Sequence, residues 1–589
     1  MKIENSNKTA RLNFFKELYE SAKLLNSEYE EGYRKNMEQY RGSVEIDGSR
    51  ENAATVRNIT YEIIESQVSS EIPLPKAEPS CYSEKRERNA KAIERLLSSL
   101  RSKIDFESLN DIDERYTYIY GGSVWYLEWD NSARMGKEVG AVKLFCLPPR
   151  DFIPQPHITD VSDMEYFFLK FTTTRYELQN KYGASEEDLL LAECEYEKEE
   201  NSTNDEDTVS LIIAFYKDAD GDVGKFVFSG NLMLEDLEKY YYRKTCRCTV
   251  CNEPSWACTC ETKNFRMENQ PFEELDRELR ESTLAKLIEN PSTNTEISIP
   301  DKIPYYVPKS FPIVIRKNTS GDGQLFGQSD CQYIRPEQQA INKIESRILQ
   351  KLLRAGVTPI VPEDASISLN NSVFGQIIKM KPGESINQYG KVDTTPDISQ
   401  DIAEAERLYD HSKRILGISD ALQGLDTEKN ESGYARQLRI SQATGRLESK
   451  KKMKNGSYSR LDRLIFEHYL AFADEPRALV YKDAYGRIHN MEFNRYDFIE
   501  YDMENEEFFY DDAYIFSVDL NTGAEYQREA LWERNLENLK AGTLGDPNSP
   551  ATLLRYWQSQ ERAHYPFARE NVEYFLLLTE SKDEGVEEI

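Results

Sequence analysis

The chain has 589 residues, and its 104 Asp and Glu residues outnumber 74 Lys and Arg residues, which gives a formal net charge of −30. This balance argues against a protein that grips nucleic acid over its whole surface, because phosphate binding depends on clustered Lys and Arg. It leaves open an acidic wall that repels a nucleic-acid backbone, and equally an ordinary acidic protein. The length is enough for several domains.

The sequence lacks two signs of membrane insertion or export. No apolar run approaches the length of about 18 residues that a membrane helix needs. The first residues, Met1 to Ser6, lack the apolar core of a signal peptide. These features predict a soluble intracellular protein without a membrane partner.

Helices are predicted to come first in the chain, and strands follow them. Apolar residues at helical spacing predict helices over residues 8–40, 55–68 and 84–120. After Gly121 and Gly122, alternating side chains predict a strand over 123–129 that pairs with 142–145.

A hairpin is predicted over residues 212–228, with its turn at Asp218 to Asp222. The turn resembles a calcium loop only superficially, because glycine stands at the fourth position instead of the sixth and Ser229 replaces the final Glu. The acidic stretch 193–207 before it predicts an exposed loop.

Five of the nine cysteines lie between Cys246 and Cys260. Thiolates at Cys-x-x-Cys and Cys-x-Cys spacing can converge on one tetrahedral ion, and four sulfur ligands favour structural zinc. The predicted ligands are Cys248, Cys251, Cys258 and Cys260, with Cys246 as an alternate. Disulfides would instead require an oxidising compartment. A zinc knuckle can bind nucleic acid, but the few basic neighbours favour stabilisation of an inserted loop, and a helix is predicted next to it over 272–287.

Two long helical patterns bracket a segment rich in Pro and Gly. The first runs over 336–355, with Pro336 in its first turn, and the second over 398–416, with Gly417 as its stop. Between them, 357–397 reads as short strands and turns. A small β module on two paired helices is a projecting element.

A basic island follows in residues 430–463, which carry a net charge of +6. Helical spacing spreads these residues around a rod. Contact with a polyanion, contact with the acidic surface of an adjacent subunit, and simple solvation all remain open. The candidates for the first two are Arg436, Arg439, Arg446, Lys450, Lys451 and Lys452.

The carboxy-terminal part is predicted to contain strands and then helices. Aromatic-rich strands cover 479–481 and 514–518, and helices follow over 525–540 and 551–580 before an acidic tail.

The sequence contains none of the common catalytic motifs. There is no Gly-x4-Gly-Lys-Ser/Thr motif for nucleotide phosphates, and the glycine-rich run from Gly321 to Gly327 lacks the lysine. The five histidines are isolated from one another. The chain is therefore predicted not to be an enzyme.

Several short stretches occur in a characteristic order. They are Val56-Arg57-Asn58 through Ile72-Pro73-Leu74-Pro75, Tyr120-Gly121-Gly122-Ser123-Val124-Trp125, Gly327-Gln328-Ser329 followed by Gln338-Gln339-Ala340-Ile341-Asn342-Lys343-Ile344, and Ile415-Leu416-Gly417-Ile418-Ser419. In these stretches and their order the chain resembles the portal proteins of tailed bacteriophages over most of its length. The cysteine insertion departs from the general pattern of that family.

The resemblance implies an α+β, multidomain, portal-type ring subunit. In such a subunit a helix enters a β clip, a second helix returns, and a tunnel loop leads to a long spine helix, here about 434–470. The implied domains are a wing over 1–325 with the zinc insertion at about 243–262, a first stem helix over 326–356, a clip over 357–397, a second stem helix over 398–417, a tunnel loop and long helix over 418–475, wing return strands over 476–524, and crown helices with an acidic tail over 525–589.

The resemblance also implies a function. Twelve subunits would form a ring at one capsid vertex, through which a terminase drives double-stranded DNA inward and from which the DNA later leaves. The clip, Val357 to Asp397, would dock the terminase large subunit and a head-tail adaptor. Major capsid and scaffolding proteins would be further partners, and the ring would be assembled in the host cytoplasm and end in the virion. The alternatives are a zinc-knuckle nucleic-acid-binding protein and a DNA-packaging enzyme.

Overall fold

The structure is a computed structural model, and it describes most of the chain. The described residues are 8–43, 55–135, 138–194, 207–248, 265–270, 272–274, 302–320, 323–354, 360–362, 378–380, 383, 385, 396–418, 445–482, 488–502, 507–519, 525–562, 565, 568, 571–572 and 574–575. They divide into two compact units, residues 1–70 with 77–517 and residues 71–76 with 518–589.

Helices and strands are both abundant, as an α+β fold requires. The described helices are α1 (Lys8–Leu25), α2 (Ser27–Arg41), α3 (Ile59–Glu65), α4 (Glu84–Lys103), α5 (Phe106–Tyr120), α6 (Arg175–Tyr182), α7 (Glu186–Leu189), α8 (Asp330–Arg354), α9 (Ser399–Leu416), α10 (Gly445–Phe472), α11 (Glu525–Lys540) and α12 (Pro550–Arg562). The last two belong to the second unit.

The strands are short, and most of them pair locally. They are β1 (Leu74–Pro79), β2 (Gly122–Met135), β3 (Glu138–Leu147), β4 (Phe152–Pro154), β5 (Tyr166–Thr174), β6 (Thr208–Lys217), β7 (Val223–Ser229), β8 (Leu232–Leu237), β9 (Arg243–Cys248), β10 (Phe265–Gln270), β11 (Phe272–Glu274), β12 (Lys302–Pro304), β13 (Ile313–Lys317), β14 (Ile360–Pro362), β15 (Ile378–Met380), β16 (Arg477–Lys482), β17 (Ile488–Phe493), β18 (Ile499–Asp502), β19 (Glu507–Tyr510) and β20 (Tyr514–Asp519).

The largest described sheet has five antiparallel strands in the order β4, β5, β6, β7 and β8. Successive side chains of a strand point to opposite faces, so this sheet has two apolar faces. One face packs against α1, where the Phe15 ring stacks on Phe226 at 4.4 Å between centroids. The other face, with Phe167 and Phe215, packs against the three-stranded sheet of β13, β2 and β3. The core of the first unit therefore lies on both sides of one sheet.

Two predicted hairpin features are confirmed. Strands β2 and β3 pair with Trp129 opposite Val142, as the alternation predicted. Strands β6 and β7 pair with Lys217 opposite Val223. In the turn between them, Asp218 Oδ1 accepts the backbone N–H groups of Asp220 and Asp222 at 2.8 and 2.9 Å, so this carboxylate closes the turn.

Two predicted helices are each split in two by a polar residue. The helix predicted over 8–40 is interrupted at Asn26, whose side-chain amide donates to the carbonyls of Ala22 and Pro154. The helix predicted over 84–120 is interrupted before Asp105, which accepts the N–H of Ser108 at 3.3 Å and caps α5. Local side-chain bonds compete here with helix continuation.

Three other predicted helices differ in extent from the structure. The helix predicted over 55–68 covers only α3, because Asn58 caps it at Tyr61 and the chain leaves the helix after Glu65. The helix predicted over 272–287 is wrong at its start, since β11 pairs with β12 there. The helix predicted over 551–580 is interrupted after Arg562, since Tyr565, which precedes a proline, is not helical, but the described residues 568, 571–572 and 574–575 are helical as predicted.

Candidate functional site

The two helices predicted to flank the β module lie side by side in the structure as α8 and α9. Contacts between Glu337 and His411 at one end, and between Lys351 and Asp401 at the other, show that the helices run antiparallel. Helix α9 matches its prediction and ends at Gly417, whose φ of 76° is the left-handed conformation that favours glycine. Helix α8 begins at Asp330, six residues earlier than predicted, so Pro336 lies inside it.

A small apolar core, to which α3 also contributes residues, holds this helix pair together. Its buried members are Ile59, Ile63, Ile334, Ile341, Tyr409, Leu416 and Ile418. Polar contacts surround the core. The Tyr409 hydroxyl donates to Glu62, and Arg57 forms an ion pair with Glu406 at 2.8 Å. Helix α3 therefore binds both long helices at their shared end.

The segment between the helices, predicted to be short strands and turns, is described only in small part. Strands β14 and β15 pair in parallel, with Ile360 opposite Ile378. These strands confirm the predicted strands where residues are described. The remainder of 357–397 lies outside the described residues, so its docking role stays a prediction.

Two of the stretches that carried the family resemblance meet through their backbones. The carbonyl of Gly121 accepts the N–H groups of Asn318 and Gly327, both at 3.0 Å. A Cβ atom on Gly121 would lie 2.1 Å from the Gly327 carbonyl oxygen, so this approach requires glycine. Ser329 adds a bond from its hydroxyl to the Ile119 carbonyl at 2.6 Å. The turn after α5 is thereby fixed to the start of α8.

Gln338, which is 1% exposed, connects its own stretch to the one that starts at Val56. Its side-chain oxygen accepts the Thr60 N–H at 3.0 Å, and its nitrogen donates to the Arg57 carbonyl at 2.7 Å. The Gln338 amide thus connects the start of α3 to α8 by two hydrogen bonds. The resemblance therefore rests on residues that build one junction between α3, α5 and α8.

The long helix α10 faces this junction with a row of polar side chains. The row consists of Lys450, Lys454, Tyr458 and Asp462, which follow one another at intervals of four residues and so share one face of the helix. We call these four residues the polar stripe. Each of them contacts an element from an earlier part of the chain.

The first residue of the polar stripe, Lys450, connects α10 to α8. Its ammonium donates to Asp330 at 2.6 Å and to Gln67 at 3.0 Å. Asp330 also accepts from Gln67 at 3.0 Å and from Asn318 at 2.8 Å, and only 1% of its surface is exposed. The first turn of α8, the loop after α3 and α10 therefore converge on a single buried carboxylate.

The second residue, Lys454, completes a buried cluster of two acids and two bases. Lys454 contacts Glu114 at 3.0 Å, Arg316 contacts Glu114 at 2.8 Å, and Arg316 also forms an ion pair with Asp113. All four side chains are at most 6% exposed. Burial acts to raise the pKa of Glu114, but Arg316 and Lys454 outweigh it and hold that pKa below its usual value. The cluster is formally neutral, and removal of any one of the four residues leaves a net buried charge.

The third and fourth residues bind α5 and α4. The Tyr458 hydroxyl donates to Asn110 at 2.8 Å. Both oxygens of Asp462 accept from the Arg101 guanidinium, at 2.6 and 2.8 Å. Burial nevertheless raises the pKa of Asp462 to about 6, and the nearby Arg101 charge offsets only part of that effect.

A buried histidine lies one and a half turns further along α10. His468 is fully buried, and its Nδ1 lies 2.8 Å from the Leu464 carbonyl. Its ring packs against Tyr241 at 5.5 Å and Phe472 at 6.1 Å between centroids. Burial lowers the pKa of His468 to about 4, so the imidazole is neutral in the folded protein at neutral pH.

The predicted basic candidates fall into different environments. Lys450 bonds within its own chain, whereas Lys451 and Lys452 are exposed, and Lys452 lies 3.1 Å from Glu448. Arg446 lies at the start of α10, and Arg436 and Arg439 lie outside the described residues. A role in a DNA channel or between subunits stays a prediction for all six.

The cysteine cluster is described only at its edge. Cys248 ends β9, is buried, and stands opposite Phe265 in the β9–β10 ladder, while the backbone of Cys246 pairs with Met267. Cys251, Cys258 and Cys260 lie outside the described residues. Among the described residues, no group of three or more His, Cys, Asp or Glu side chains could hold a metal ion. Zinc therefore stays a prediction.

Sequence reasoning missed the partners of the polar stripe: Asp113, Glu114, Arg316 and Asp330. The stripe itself had a signal, since four polar residues recur every fourth position in 450–462. No comparable signal marks its partners, because 104 acidic residues offer too many candidates. Only the tertiary fold selects the buried ones.

The glycine-dependent junction and the buried polar stripe connect the paired helices to α3, α4, α5 and α10. A family model described as Phage P22-like portal protein matches residues 78–475, which is more than half of the chain and includes α8, α9 and α10. The chain therefore belongs to the P22-like portal protein family and is a portal protein of a tailed phage. Portal proteins are structural components of the capsid vertex. A search of curated proteins gave no match. Among the described helices, none is long and apolar enough to cross a membrane.

Proposed function

We propose that twelve copies of this subunit form a ring that admits double-stranded DNA during packaging by the terminase and releases it at ejection. The observation that carries the proposal is the family match over 78–475, which spans both paired helices and the long helix. The net charge of −30 supports it, because acidic walls do not retain a phosphate backbone. In this account the subunit hydrolyses nothing, and the terminase supplies the energy.

The domain assignment forms part of the proposal. Helices α8 and α9 correspond to the stem helices, 357–397 to the clip, and α10 to the spine helix that follows a tunnel loop. Residues 1–325 and 476–524 form the wing, and 525–589 form the crown and the acidic tail. The paired packing of α8 and α9 around one apolar core supports the stem assignment.

The polar stripe has a mechanical consequence for such a ring. Lys450 connects α10 to α8, while Lys454 and Asp462 connect α10 to α5 and α4. Breaking one buried ion pair costs about 3–5 kcal/mol, because the remaining charge stays buried without its partner. We infer that force applied to the stem by moving DNA reaches the wing through these fixed contacts.

The clip is the proposed docking surface for the terminase large subunit and for the head-tail adaptor. Charge reversals at Lys381 and Lys391, both within 357–397, test this assignment. Purified rings with these changes should lose terminase binding in a pull-down and lose packaging activity, while ring mass stays normal. Lys343→Glu, on the exposed surface of α8, is the matched control. Unchanged terminase binding by the clip variants would remove the clip from the proposal.

We also propose a structural zinc ion on Cys248, Cys251, Cys258 and Cys260. The spacing supports it, because Cys-x-x-Cys and Cys-x-Cys pairs can bring four thiolates to one tetrahedral ion. Metal analysis should find one zinc per chain in the native protein and clearly less in Cys251→Ser. Equal zinc content in both proteins, or none in either, would contradict the site. Cys81→Ser, outside the cluster, is the control.

A further inference from the structure

A cleft of about 500 Å³ lies in the first unit, away from the polar stripe. Its walls are the bend between α1 and α2, the loop 154–158 after β4, the segment 323–329 and the first turns of α8. This volume is within the range of small-ligand sites. Its basic lining residues are Lys23, Arg150, His157 and Arg335, and its acidic ones are Glu28, which is exposed, and Glu30, which is half-buried.

Arg335 is a cation of the cleft that two neighbouring side chains hold in place. Its Nε donates to the Gln39 side-chain oxygen at 3.1 Å, and its Nη2 donates to the Asn36 side-chain oxygen. The Gln39 amide is itself fixed, because its nitrogen donates to Thr60 Oγ1 and to the Cys331 carbonyl, both at 3.0 Å. Both partners of Arg335 are neutral. Within the described residues Arg335 forms no ion pair, so its positive charge is oriented without being neutralised.

Tyr120 supplies a second group with unused hydrogen-bonding capacity. It lines the cleft at 2% exposure, and its buried hydroxyl has no hydrogen-bond partner among the described residues. A buried polar group without a partner costs about 1–3 kcal/mol, which a bound acceptor would relieve. Burial raises the pKa of Tyr120 to about 12, so the hydroxyl keeps its proton and can donate.

We propose that this cleft binds an oxyanion, either a carboxylate or a phosphoryl group, through Arg335, Arg150 and the Tyr120 hydroxyl. A guanidinium presents two N–H groups that match the two oxygens of either anion. Arg150 adds a cation on the same lining, and its Nε lies 3.8 Å from the Asp151 carboxylate. Of the two acidic lining residues, Glu28 is exposed and Glu30 is only half-buried, so water screens their repulsion.

Calorimetric titration of the full chain with inorganic phosphate and with succinate, at constant ionic strength, tests the site. Arg335→Gln should weaken binding about tenfold or more, because it removes a charged donor. Lys343→Gln, an exposed residue of the same helix outside the cleft, should leave binding unchanged. Tighter binding of phosphate would identify a phosphoryl ligand, and tighter binding of succinate a carboxylate.

Tyr120→Phe separates binding from folding. The lost hydroxyl has no partner in the structure, so the variant should melt at the same or a higher temperature while binding the anion several-fold more weakly. A purely structural role for Tyr120 would leave anion affinity unchanged. The proposal is overturned if neither anion binds at millimolar concentration, or if wild type, Arg335→Gln and Tyr120→Phe bind alike. Neither outcome bears on ring formation or DNA passage.

Discussion

The polar stripe of α10 and the ion pairs between α8 and α9 use the same chemistry in different surroundings. Lys454 and Glu114 are 6% and 1% exposed, whereas Arg347 and Lys351, which both contact Asp401, are 58% and 38% exposed. Buried charges lose their hydration and become costly when a partner is removed, whereas exposed pairs contribute little. The stripe therefore fixes the position of α10. The exposed pairs between α8 and α9 can break at little cost in free energy, so they constrain the two helices less.

The largest expected effect comes from Lys454→Met. The change leaves three buried charges, Asp113, Glu114 and Arg316, with a net charge of −1, and should lower the free energy of unfolding by about 3–5 kcal/mol. Urea unfolding followed by circular dichroism measures it. The double variant Lys454→Met with Glu114→Gln restores neutrality and should recover much of the loss. A single-variant loss below about 1 kcal/mol would contradict the comparison.

Lys450→Met should have an intermediate effect, because Asp330 keeps its bonds from Gln67 and Asn318. Loss of a charged hydrogen bond predicts about 1.5–3 kcal/mol. The loss should be local, so hydrogen exchange of the first turns of α10 should accelerate more than that of its last turns. Lys451→Met, an exposed neighbour, is the control. Equal acceleration of hydrogen exchange in Lys450→Met and Lys451→Met would show that the contacts of Lys450 do not stabilise the start of α10.

His468 predicts a specific sensitivity to acid. Its pKa is about 4 in the folded protein and about 6.5 in an unfolded chain, so the unfolded state binds more protons between these values. The contribution of His468 to the free energy of unfolding is therefore fully present above pH 6.5. It falls by about 1.4 kcal/mol per pH unit as the pH drops towards 4.

His468→Phe keeps a ring against Tyr241 and should remove this slope. Asp462, whose pKa is raised to about 6, contributes the opposite slope at acid pH in both proteins. The stability difference between wild type and variant, measured by urea unfolding at several pH values, isolates the histidine. A difference that does not change with pH would contradict the assignment.

The smallest effect is expected from Arg347→Met on the exposed side of the comparison. Its side chain is 58% exposed and Lys351 also contacts Asp401, so the loss should be about 0–1 kcal/mol. Salt should reduce even this loss, because exposed charges are screened. A loss as large as that of Lys454→Met would erase the distinction between the two regions.

The sequence predicted the elements that end at glycine better than those that end at polar residues. Gly42, Gly121 and Gly417 adopt left-handed φ values, so the helix ends before them were foreseeable. The interruption at Asn26 was not, because its side chain also donates to Pro154, which the fold brings near, and the cap at Asp105, a local bond from Ser108, was hidden by a continuous helical pattern. Helix periodicity could place Lys450 and Lys454 on one face. It could not show that this face would meet Asp330 and Glu114, which are far away in sequence.

The candidate site also contains features that the sequence predicted and features that it did not. The order of short stretches was sufficient to predict the family, and the structure shows that Gly121, Gly327 and Gln338 build one junction. The cleft around Arg335 left no trace in the sequence, because its walls come from four separate segments. Spacing alone predicted the zinc ligands, which remain untested.

The most direct test of the account is the particle mass of the purified full chain under assembly conditions, measured by mass spectrometry of intact complexes and by negative-stain images. The account predicts closed rings with a central channel and a mass twelve times that of the 68.4 kDa subunit. A 68.4 kDa monomer under every assembly condition would contradict it.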